Sequence, residues 1–215
     1  MLHRPRATKS SGSHSGSGNA GIPRNWPSGI VYLRAPSYSK KLTNDALKSL
    51  IVVKSVLPAT EQPRKSAGPY TNVKITKISN SSHPAHGQHG LFASERLLPD
   101  SFILPYLGYI HDNSDMDGNS DYDLSLDREV GVGVDSSKMG NEARFINDYR
   151  GLSAGPNAEF RETWIDVGNS KVEKRMGVFV LRAGKSGKRA KGIAKGEEIL
   201  VSYGKGFWNE RQLDE

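Results

Sequence analysis

The 215 residues include 30 basic and 23 acidic side chains, a net charge of +7, and no cysteine. Disulfides, cysteine-ligated zinc and thiol nucleophiles are thereby excluded together. No apolar run approaches the roughly 18 residues that would cross a bilayer. The hydrophobic fraction of 35% implies one packed domain plus a segment that adds little to its core.

That segment is at the start. Before Asp45 there is no acid, while Arg4, Arg6, Lys9, Arg24, Arg34, Lys40 and Lys41 carry the equivalent of the whole net charge. Weak, sequence-independent contact with nucleic acid through residues 1–44 is the expectation. Residues 1–21, "MLHRPRATKSSGSHSGSGNAG", are rich in Ser, Gly and basic residues and predict a disordered tail. The tail lacks the apolar centre of a secretory signal, so the protein is expected inside the cell, in nucleus or cytoplasm, and not at a membrane. Residues 22–69 form an arm, at first irregular around Pro23, Pro27 and Pro36. In "NDALKSLIVVKSVL" (44–57), Asn44 or Asp45 is placed to cap a helix. Ala46, Leu47, Leu50 and Ile51 predict a short amphipathic helix running into a strand. A turn-rich connector, "EQPRKSAGP", follows.

From Tyr70 to residue 210 the apolar segments are short and separated by Gly, Asp, Asn and Pro. They read "TNVKITKIS", "GLFASERLL", "SFILPYLGYI", "YDLSLD", "VGVGVD", "EARFIND", "WIDVG", "MGVFVLRA" and "EEILVSYG". This pattern predicts a mostly β body with short helices. Pro105 predicts an edge strand or a bulge.

Several motifs do not hold. "GSGNAG" (16–21) has neither the preceding strand nor the following helix that a dinucleotide fingerprint needs. "NSDMDGNSDYDL" places Leu124 where a calcium loop needs a bidentate glutamate. His83, His86 and His89 are spaced by three, but Pro84, Gly87 and Gly90 preclude the helix that would align them, and no metal site is expected. What remains is "NEARFINDYRG" (141–151), where an apolar pair, Phe145 and Ile146, delivers Asn147 to one spot.

Taken together, "HGLFAS" (89–94), "ARFIND…GPNAEF" (143–160) and "KGEEILVSYGKGFW" (195–208), with "YLG" (106–108) and "YDLSL" (122–126), resemble the signature of SET-domain protein lysine methyltransferases. The resemblance covers about residues 70–210. It implies a SET-like fold of small curled sheets with a C-terminal pseudo-knot, in which the stretch ending at Asn147 threads a loop closed by the C-terminal stretch. It implies S-adenosyl-L-methionine as cofactor and a protein substrate with an exposed lysine, such as a histone tail. Carried over by position, His89, Gly90, Leu91 and Phe92 approach the methionine part of the cofactor. Asn147 bonds its amine or carboxylate, and the Asp148 main chain meets the adenine. Phe207 or Trp208 covers the ring. Tyr203 lies nearest the methyl transfer and also borders the cofactor, while Tyr106 and Tyr122 line the lysine channel.

Departures from the family pattern accompany the resemblance. Gln88 stands where a glycine is usual, and Asp148 where a histidine is usual. With no cysteine, neither the preceding nor the following zinc cluster of many family members can form. The loop from Asn147 to Asn157 is longer than usual around Leu152–Gly155, and "GKSGKRAKG" (184–192) is a basic insertion. These departures leave open a rival reading, a SET-like module with weak or no catalysis that serves as scaffold or reader. The acidic run from Asp112 to Glu129 predicts steering of a basic peptide.

Overall fold

The computed structural model describes residues 21–184 and 191–204. The tail before residue 21, most of the 184–192 insertion, and Phe207 and Trp208 lie outside the described residues. The arm contributes β1 (Val31–Tyr32), β2 (Ser37–Tyr38), α1 (Asn44–Leu50) and β3 (Ile51–Val53). The helix is capped one residue earlier than its sequence suggests. Thr43, with extended backbone, accepts the Ala46 amide on its hydroxyl, while Asp45 sits in the first turn, where a negative charge suits the helix dipole.

The body follows with β4 (Val73–Lys77), β5 (His89–Ala93), β6 (Phe102–Pro105), β7 (Tyr109–Asp112), β8 (Asp123–Asp127), β9 (Val132–Asp135) and β10 (Met139–Gly140). A 3₁₀ turn, Glu142–Phe145, leads into β11 (Asn147–Asp148), then β12 (Ala158–Gly168), β13 (Lys171–Val180) and β14 (Leu200–Val201). The fold is mostly β, with one α-helix among the described residues and its strands in small sheets.

"WIDVG" and "MGVFVLRA" are parts of one long antiparallel hairpin, β12–β13, rather than separate short strands. Asn169 and Ser170 both adopt positive φ at its tip, the conformation that closes a two-residue hairpin in register with the strand twist. β13 also pairs with β3 and with β6. Pro105 ends β6 opposite Gly177, next to a register shift at Val178/Phe179. A second sheet runs β2-β7-β9-β8, and β4 pairs with β5.

Three two-residue parallel ladders join distant segments: β1 to β10, β2 to β7 and β11 to β14. No hairpin can make such a pair, because parallel strands need a crossover. The arm is therefore built into the body. Trp26 packs edge-on against Tyr32 and Phe145, with centroids 5.0 and 5.6 Å apart. The core gathers Leu50, Leu91, Leu104, Leu126, Ile193 and Ile199, all fully buried.

Candidate active site

"EARFIND" is a buried turn rather than a strand up to Phe145. Only Asn147 and Asp148 extend, and they do so because the C-terminal stretch lies beside them. Tyr149 donates its amide to the Val201 carbonyl (3.0 Å). Asn157 is bound at both ends, with Nδ2 donating to Glu198 O and Oδ1 accepting from Leu200 N, each at 2.8 Å. The Tyr203 hydroxyl reaches back to donate to Ile146 O at 2.6 Å. Two remote stretches thus interlock, and their polar residues emerge together.

They emerge at a cavity of about 430 Å³ lined by Pro27, Gln88, His89, Asp121, Tyr122, Arg144, Phe145, Asn147 and Tyr203. His89, Tyr122, Asn147 and Tyr203 are brought together there. Asn147 Nδ2 donates to Glu198 Oε1 (2.8 Å) and lies 3.5 Å from His89 O. The Arg144 guanidinium lies over the Tyr122 ring, 4.5 Å from its centroid, while donating to the Ser136 and Ser137 carbonyls.

Other expected residues lie elsewhere. Gly90, Leu91 and Phe92 do not line the cavity: Leu91 is fully buried in the core, and Phe92 bridges to Glu198. Gly90 packs under the Glu198 carboxylate, which a Cβ there would strike. Asp148 turns to the C-terminal strand, its carboxylate accepting from Tyr203 N, Arg150 N and Arg150 Nη1 at 2.8–2.9 Å. Tyr106 is buried. Its hydroxyl donates to Tyr122 O (2.7 Å) and accepts from Ser136, and its ring packs edge-on against Phe160. Burial pushes its phenol well above the ordinary value, more than the Ser136 hydrogen bond offsets.

Arg144 and Asp121 line the cavity although the motif reading gave them no role, as does Gln88, named there only as a departure from the family pattern. Arg144 is the most legible in hindsight. It directly precedes Phe145, and an arginine in so apolar a turn needs a site for its charge. The acidic run is largely consumed internally. Asp115 is held well below the usual carboxylate range by Ser39, Tyr109 and Lys41, Asp127 pairs with Lys174, and Asp123 with His111. Among the described residues no group of three or more His, Asp or Glu side chains could hold a metal ion. No described helix is long and apolar enough to cross a membrane.

A family model described as the SET domain matches residues 88–204, more than half of the chain. No curated protein matches it. Similar solved structures include ctPRC2 in an autoinhibited conformation bound to S-adenosylmethionine. That match has 22% identity and TM-score 0.47, and covers 67% of this chain and 17% of that one. The polycomb repressive complex 2 of Chaetomium thermophilum matches at 22% identity and TM-score 0.47, with 68% of this chain and 16% of that one covered. This chain thus spans less than a fifth of the length of those it resembles. On the family match over residues 88–204, the chain belongs to the SET-domain family.

Proposed function

We propose that the chain is an S-adenosylmethionine-dependent protein lysine N-methyltransferase. The observation that carries this reading is the meeting of Asn147 and Tyr203, from remote stretches, at one cavity. Its volume of about 430 Å³ falls within the range of about 300–1,000 Å³ common to small-molecule sites. The donor set suits an amino-acid moiety with an aromatic base. Asn147 offers a carbonyl oxygen to an ammonium, Arg144 a cation to a carboxylate, and Tyr122 and Phe145 apolar ring surface. When bound, the cofactor supplies an electrophilic methyl group on a positively charged sulfur.

The chain's own task is to present a neutral amine without water. A free lysine titrates near 10.4, so neutrality at pH 7 costs about 4–5 kcal/mol. Burial against Tyr122 and Phe145, which line the cavity, lowers that cost by penalising the ammonium. Tyr203 commits its proton to Ile146 O and keeps oxygen lone pairs with which to orient the amine. It serves as a positioning acceptor rather than a base. Tyr106 acts one step back, its hydroxyl holding the Tyr122 carbonyl. The substrate is a basic segment of another protein, such as a histone tail, steered by the acidic run from Asp112 to Glu129. With Asp115, Asp123 and Asp127 paired, this steering is modest, and raising the salt concentration lowers the on-rate only slightly.

Transfer of labelled methyl from S-adenosylmethionine into a panel of proteins tests the reading. The native chain labels a substrate, and Tyr203→Phe and Asn147→Ala each lower the rate at least tenfold. A native chain that neither binds the cofactor nor labels any protein overturns it. Cofactor binding without labelling would favour the scaffold reading, which is motivated by the exposed Gln88 and by the use of the Asp148 carboxylate on Tyr203 and Arg150.

A further inference from the structure

His83, dismissed as a metal ligand, lies buried in a tight turn and uses both ring nitrogens inside the protein. Nδ1 accepts the Ala85 amide at 3.0 Å, so the proton of the neutral ring sits on Nε2, which lies 3.0 Å from Glu198 Oε2. The other oxygen of Glu198 accepts from Asn147 Nδ2 at 2.8 Å. The turn itself is pinned by Gly87 N to Ile78 O and Gln88 N to Ala85 O, both 3.0 Å. His83 and Glu198 do not line the cavity that Asn147 lines.

This chain of bonds determines which way the Asn147 amide faces. Both neighbours of its Nδ2, the Glu198 carboxylate and the His89 carbonyl, are acceptors. Turning the amide over would set oxygen against oxygen. Among the described residues no donor reaches Oδ1, which remains available to a ligand. We infer that His83 and Glu198 are positioning residues that lock Asn147 with its carbonyl oxygen toward the cofactor, so that the site selects the ligand's ammonium rather than its carboxylate at that point. The inference rests on the methyltransferase reading and goes one step further, to two residues that need not touch the ligand.

Calorimetry on the full chain with two ligands separates this role from a purely structural one. The ligands are S-adenosylhomocysteine and its analogue lacking the α-amine. The native chain binds the amine-bearing ligand more tightly. Glu198→Gln keeps the shape but has one acceptor oxygen for two donors. It and His83→Ala weaken S-adenosylhomocysteine binding about tenfold, the scale of one hydrogen bond to a charged group, and leave the deaminated ligand within about twofold. His83→Gln, which keeps a donor toward Glu198, restores most of the preference. Variants that lose both ligands alike, folded or not, overturn the inference, as does a native chain that binds both ligands equally. A native chain that binds neither ligand defeats the methyltransferase reading instead.

Discussion

Gly90 and Glu198 show how a single atom links core and site. A Cβ on Gly90 would strike Glu198 Oε1 and approach a Phe92 ring carbon to 3.0 Å. Its backbone is not in the left-handed region, so the need for glycine is one of space alone. Gly90→Ala must push the carboxylate aside, and the first bond to go is the one to Asn147. The expected outcome is a loss of about 1–3 kcal/mol of stability, the usual cost of overpacking, together with weakened cofactor binding. Thermal melting and calorimetry on the same variant check both, and unchanged ligand affinity would separate Gly90 from the site. Asn147 was legible in the sequence because an apolar lead-in ends on it, whereas Tyr203 was named only through the resemblance carried by "EEILVSYG". Glu198 was not, since two adjacent glutamates give no sign of which one turns inward. The Asp148 side chain carried no expectation beyond its departure from the usual histidine, and its carboxylate holds the Tyr203 amide.

At the scale of strands, alternation and turn residues marked β4, β5, β8, β9 and parts of β12 and β13, though not the hairpin that joins those two. The two-residue parallel ladders carry no periodicity, and only the folded chain reveals them. One cross-strand contact adds a pH dependence. His111 on β7 is buried, its Nδ1 3.1 Å from Asp112 O and its Nε2 3.0 Å from Asp123 Oδ1 on β8. Both partners are acceptors, so only the imidazolium satisfies them together. Burial alone would lower the imidazole's pKa. The Asp112 carbonyl, Asp123 and Asp135 outweigh it and raise it above the ordinary value. A raised folded value means that the contribution to stability is fully present below the unfolded value of about 6.5. It is lost as pH rises through the folded value. The melting temperature of the native chain is therefore expected to fall over that interval, and His111→Gln to flatten this part of the profile. An unchanged slope in the variant would exclude His111 as its source.

For the molecule as a whole, the question is where the SET-domain body begins. The sequence starts that body at Tyr70, after an arm of residues 22–69, and expects methyl transfer to survive removal of residues 1–44. In the fold, residues of the arm pack against the body. Trp26 packs on Phe145, immediately before the threaded stretch, and Pro27 lines the cavity. Tyr32 donates to the buried Glu142 carboxylate, whose pKa burial raises. β1 and β2 supply ladders to β10 and β7. The charge pattern could not reveal this, because these contacts come from isolated aromatics and prolines rather than from an amphipathic run. Two truncations separate the alternatives. Removing residues 1–20 takes away three of the seven early cations and is expected to weaken nucleic-acid binding while leaving the melting temperature and methyl transfer close to native. Removing residues 1–44 strips Trp26 and Tyr32 from the back of the 142–147 stretch. Both rings are only half-buried, so each costs less than the about 3–5 kcal/mol of a fully buried aromatic, but the β1 and β2 ladders go with them, so this longer deletion should abolish the cooperative transition or all transfer. A 45–215 fragment that melted cooperatively and still transferred methyl groups would show that the arm is an accessory and that the cavity stands without it.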